Sequence, residues 1–75
     1  NPAQDRVNLI YSSDRANMVT ITVYDFTGRV AHSGVVMNAT GTLETTIDLS
    51  GFEKGMYMIE VREGDTRTQK TLVVQ

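Results

Sequence analysis

Apolar residues recur at every second position along almost all of this chain, and a period of two belongs to β-strands. Val7, Leu9 and Tyr11 alternate with Asn8 and Ile10. Val19, Ile21 and Val23 alternate with Thr20, Thr22 and Tyr24, a run rich in the β-branched residues that suit a pleated, half-buried surface. The same rhythm returns at Leu43, Thr45, Ile47 and Leu49, at Tyr57, Ile59 and Val61, and at Lys70, Leu72 and Val74. No segment places apolar residues at i, i+3, i+4 and i+7 over three turns, so no substantial helix is expected.

The turns between these runs carry the residues that hairpins require. Asp25-Phe26-Thr27-Gly28, Asn38-Ala39-Thr40-Gly41 and Glu63-Gly64-Asp65 each put glycine where a short loop wants a positive φ. Ser12 to Asn17 is a longer polar connection. Evenly spaced short strands with such turns predict an all-β chain, an immunoglobulin-like antiparallel β-sandwich of six or seven short strands with a Greek-key-like connection. The stretch from Asp48 to Gly55 breaks the hairpin pattern and predicts a crossing between sheets, with Phe52 plugging the end of the core.

Seventy-five residues make a single domain, expected to span 1–75. A chain of this length buries roughly 60–65% of its unfolded surface, so its core is one layer deep. It has no cysteine for disulfides and only one histidine, too few for a metal site. The opening at Asn1 rather than Met is expected of a domain excised from a larger exported protein.

Charge excludes some classes of partner. The net charge is −2, and Arg62, Arg67 and Lys70 are interleaved with Glu60, Glu63 and Asp65, so no basic patch for nucleic acid forms. No apolar run approaches the ~20 residues that cross a membrane, and no basic amphipathic helix suggests insertion. Chemistry is equally sparse. His32 stands alone without a second histidine, and Ser50-Gly51 lacks the flanking glycine of a nucleophile elbow. Asp14, Asp25 and Asp48 lie in turns without the alternating oxygen ligands of a calcium loop, and turn capping accounts for them. Met18, Met37, Met56 and Met58 are open to two roles, a pliable groove for a partner or packing under a second sheet or a parent domain. Neither an enzyme nor a cofactor is expected.

One ordered set of motifs resembles a known family over essentially the whole chain. It runs Asn1-Pro2-Ala3, then Val19-x-Ile21-x-Val23-Tyr24-Asp25-x-x-Gly28-Arg29-Val30, then Ile47-Asp48-Leu49-Ser50, then Gly55-x-Tyr57-x-Ile59-x-Val61, then Lys70-x-Leu72-Val73-Val74. Each motif alone is weak, but their order and spacing resemble the C-terminal sorting domain of Bacteroidetes cargo exported by the type IX (Por) secretion system.

The resemblance implies a non-catalytic address: cargo folds in the periplasm, and the domain directs it through the outer-membrane translocon. It further implies removal by a sortase-like peptidase, with cleavage upstream of Asn1, and cell-surface attachment or release of a covalently linked upstream cargo. By position, Asn1, Pro2 and Ala3 match the entry motif. Asp25, Gly28, Asp48, Leu49 and Ser50 match structural motif positions. Gly55, Tyr57, Lys70, Leu72, Val73 and Val74 form the expected translocon-recognition set. Gln75 departs from the final lysine of many members.

The last strand is also read as an edge available to a receptor, and an open edge would permit a dimer. The alternative is an immunoglobulin-like structural or ligand-binding accessory module of a secreted multidomain protein. The absence of tryptophan, with Tyr11, Tyr24 and Tyr57 inside strands, gives that alternative no aromatic platform for a sugar.

Overall fold

The computed structural model describes residues 2–3, 5–13, 17–38 and 41–75. Asn1, Asp14 and the Ala39-Thr40 part of the second turn therefore lie outside the described residues. The chain is all-β. In order, the strands are β1 (Pro2–Ala3), β2 (Arg6–Ser12), β3 (Asn17–Asp25), β4 (Val30–Asn38), β5 (Thr42–Asp48), β6 (Gly55–Glu63) and β7 (Thr66–Val74).

The strands form two sheets, β1-β7-β6-β3-β4 and β2-β5. The six longer strands pair antiparallel within their sheets, while the two-residue β1 adds to β7 in parallel. The connections β2 to β3 and β5 to β6 both cross between sheets, which interlocks the β2-β5 and β3-β6 pairs in the Greek-key manner. The order β7-β6-β3-β4 facing β2-β5 is the G-F-C-C′ and B-E arrangement of an immunoglobulin-like sandwich.

Alternation decides the core. Val19, Ile21 and Val23 of β3, Ile59 and Val61 of β6, and Leu72 and Val74 of β7 point inward from the larger sheet. Leu9 of β2, with Leu43 and Ile47 of β5 and Leu49 just after it, meets them from the smaller one. A one-residue slip in any of these strands would turn its apolar set to solvent, so the burial pattern itself fixes register.

The smaller sheet has two strands and the larger has five, so the cover is incomplete. Along β4 from Val30 to Met37, Val30 to Ser33, Val35 and Met37 are exposed, and Gly34 and Val36 are half-buried. The register also shifts between Val23 and Tyr24, which face His32 and Val30, leaving Ala31 as the extra residue of a bulge.

Candidate recognition surface

Parts of the family-like motifs, from Asp25 to Val30, Asp48 to Ser50, Gly55 to Tyr57 and Leu72 to Val74, meet with β1 at one pole of the sandwich. The β3-β4 hairpin turns there, the β5-β6 crossing passes there, and β7 ends there beside β1. Each piece is held by local chemistry that its sequence dictates.

At the hairpin, the Asp25 carboxylate accepts from the Thr27 hydroxyl at 2.6 Å, the Thr27 amide at 2.9 Å and the Arg29 amide at 3.0 Å. These bonds, the Thr27 hydroxyl foremost, hold its pKa below 3.8 against the opposing effect of desolvation. Gly28 closes the turn with φ 89°, and its amide donates to the Asp25 carbonyl at 3.0 Å. That backbone is open to glycine and strained for other residues.

At the crossing, Asp48 repeats the device. Its carboxylate accepts from the Ser50 amide at 3.0 Å, which is the main reason its pKa is also lowered. The Leu49 amide donates to the Asp5 carbonyl at 2.8 Å, tying the crossing to the start of β2 while the Leu49 side chain enters the core. Phe52 is half-buried against the core, and its ring meets Tyr57 at a centroid distance of 5.1 Å and 47°. The expected crossing is therefore present, with Phe52 as a shared aromatic contact rather than a fully enclosed plug. The Tyr57 hydroxyl donates to the Glu53 carbonyl at 2.7 Å, so one tyrosine holds both Phe52 and Glu53 of the bend. Gly55 starts β6 at φ 149°, where an added Cβ would meet nothing within 4 Å; the requirement is conformational, not steric.

The last strand joins these parts. Gly55 pairs with Val74, Met56 with Val73 and Tyr57 with Leu72. On its other side Val73 pairs with Pro2 and Val74 with Ala3. The terminal element is thus the inner partner of two strands at its end, where sequence alone suggested an open edge. No periodicity could announce a strand of two residues.

The expected recognition residues divide by exposure. Leu72 and Val74 are core, at 1% and 3% exposure. Val73 is half-buried and Lys70 exposed. Lys70 has the inward parity of Leu72 but is exposed, lining a hollow of ≈ 210 Å³ with Val7 to Ile10 of β2.

The pole also carries open concavities. A cleft of ≈ 540 Å³ runs between the hairpin and the crossing, bounded by Phe26, Arg29, Phe52, Lys54 and Tyr57. Beside it, Tyr24, Phe26, Met56, Met58 and Thr71 line a shallower apolar hollow of ≈ 350 Å³. All four methionines lie on the outer face of the larger sheet, between 37% and 58% exposed. They cover no second layer among the described residues, and Met56 and Met58 stand on the face opposite Tyr57.

His32 is exposed on β4. Among the described residues, no group of three or more His, Cys, Asp or Glu side chains could hold a metal ion. The geometry offers shape and strand pairing.

The profile of the secretion-system C-terminal sorting domain matches residues 1–75, the whole chain. The chain belongs to that family. No curated protein matches it. The sorting domain is accordingly a type IX secretion signal of the Bacteroidetes kind, from a non-catalytic family. Membership implies interaction with the secretion system, attachment to upstream cargo, and export toward the outer membrane and the cell surface or extracellular space.

Proposed function

We propose that this sorting domain is read by the type IX outer-membrane translocon at the pole where β1, the β3-β4 hairpin, the β5-β6 crossing and the end of β7 meet. The observation that carries the proposal is the double pairing of Val73 and Val74, to β6 and to β1. It joins the first and last motifs of the chain into one surface that exists only when the domain is folded. A receptor handling cargo with unrelated upstream domains needs such a portable, fold-dependent mark.

In this reading residues 1–75 are one domain, separable from a larger cargo that folds in the periplasm before translocation. Lys70 and Val73 supply side chains to the receptor. Leu72 and Val74 hold the strand in place from the core, and Gly55 and Tyr57 set the bend beside it. A sortase-like peptidase then removes the domain upstream of Asn1, and the cargo is attached to the surface or released.

The test is delivery of a full-length cargo in a type IX-competent bacterium. Deleting Thr71–Gln75 should leave cargo in the periplasm, but that change also removes core. The deciding variant is therefore Lys70→Ala with Val73→Ser, which leaves Leu72 and Val74 intact. Folded, soluble cargo retained in the periplasm supports the reading. Surface delivery at the parent level by this folded variant overturns it.

A further inference from the structure

A sheet edge exposes a row of unpaired N–H and C=O groups, and native chains blunt such edges with charge, proline or very short strands. This sorting domain does so at nearly every edge. β1 is two residues long and contains Pro2. The stretch of β7 beyond its reach carries Arg67 and Lys70. β2 carries Arg6, and β5 carries Glu44 and Asp48.

β4 is the exception. It is nine residues long, Val-Ala-His-Ser-Gly-Val-Val-Met-Asn, with no Asp, Glu, Lys, Arg or Pro. It is paired with β3 on one side and with no other described strand on the other. It also overhangs the smaller sheet, so both of its faces reach solvent at Val30 to Ser33. The bulge at Ala31 disturbs only the hairpin end and leaves Ser33 to Met37 regular against β3.

We propose that β4 is a homodimerisation edge, pairing antiparallel with β4 of a second copy to make one continuous sheet. What this edge requires is an extended, uncharged strand with a free side, and β4 of another copy is that strand. A two-fold axis at Gly34 places Gly34 opposite Gly34, Ser33 opposite Val35 and His32 opposite Val36. The crossing point then has no side chain to clash, and no like charges meet anywhere along the seam. One strand pair buries less than the roughly 1,200 Å² of a standard interface, so the dimer is weak and concentration-dependent.

The register gives a specific test by sedimentation equilibrium on the 75-residue chain up to high micromolar concentration. Ser33→Lys with Val35→Lys sets two pairs of lysines opposite each other across the axis, and association should weaken about tenfold or more. This change brings the net charge from −2 to zero, so a loss of association is not due to general repulsion. Ser33→Lys with Val35→Glu sets lysine opposite glutamate in both halves and should retain the dimer. Both positions are exposed, and circular dichroism melts should confirm that both variants fold.

The chain has no cysteine, so Gly34→Cys should also cross-link to itself under mild oxidation while cysteine at exposed Asp65 does not. A parent chain monomeric throughout overturns the proposal. So does a dimer equally strong in the lysine–lysine variant, which would use another edge or a face. Neither result bears on export, which is read separately through Lys70 and Val73.

Discussion

Pro2 stands opposite Val73 in a parallel pair, while Met56 pairs with Val73 from the other side. The two extremes of the sequence are thereby neighbours in space, and the end of β7 is an inner strand. A terminal strand serves as a handle in two ways, by offering a bare edge or by completing a surface. Among the described residues, the pairing with β1 covers the outer side of β7 at Val73 and Val74 and leaves it bare toward Lys70.

Leu72 and Lys70 lie on the same strand with the same parity and should respond very unequally to truncation. Leu72→Ala removes a side chain only 1% exposed and should cost about 2–5 kcal/mol. That is a large part of the stability of so small a domain, so the isolated variant should be mostly unfolded by chemical denaturation. Lys70→Ala should change stability by no more than about 0.5 kcal/mol. Equal losses for both would remove Leu72 from the core.

Phe52 and Tyr57 make a second pair with separable contributions. Phe52 is only half-buried, so Phe52→Ala should cost less than the about 3–5 kcal/mol of an enclosed phenylalanine. A loss near 2 kcal/mol would lower the melting temperature by about 8–16 °C in a domain of this size. Tyr57→Phe keeps the ring contact and removes the bond to the Glu53 carbonyl, at about 0.5–1.5 kcal/mol. A melting temperature unchanged by Phe52→Ala would refute the packing role.

Glu63 is 5% exposed, and its Oε1 accepts from the Tyr11 hydroxyl at 3.0 Å across the opposite pole. Its Oε2 has no partner among the described residues. Tyr11→Phe should therefore leave a buried carboxylate poorer by one donor and cost about 1–3 kcal/mol. In a Glu63→Gln background the same change should cost measurably less, because the group left behind is uncharged. A double-mutant cycle by urea denaturation checks this, and a zero coupling energy would count against the bond.

The sequence made the sandwich legible because every core strand shows the alternation that burial on one face demands. The Asp25 and Asp48 turns were legible for a similar reason: a short carboxylate two residues before an amide caps itself. Two features escaped. β1 is too short for any pattern, and its pairing with Val73 and Val74 depends on where the fold brings the chain start. The environment of the methionines was also open, because a side chain on the second face of a strand reads the same whether another layer covers it or not. Only the size of the smaller sheet decides that, and size of a sheet is a property of topology.

The two turn carboxylates should shape the acid limb of stability. Both have folded pKa values below 3.8, through the Thr27 hydroxyl at Asp25 and the Ser50 amide at Asp48. A depressed folded value means that the folded state binds its proton later than the unfolded state does. The stabilisation is then fully present above the unfolded pKa and is lost as pH falls from about 4 through the folded values. Replacing both residues with asparagine removes the titration while keeping a side-chain acceptor at each turn. Thermal melts from pH 7 to pH 2 should show the parent more stable than the double variant above pH 4, with the gap closing in stronger acid. A gap that stays constant across that range would mean that neither carboxylate contributes through its charge.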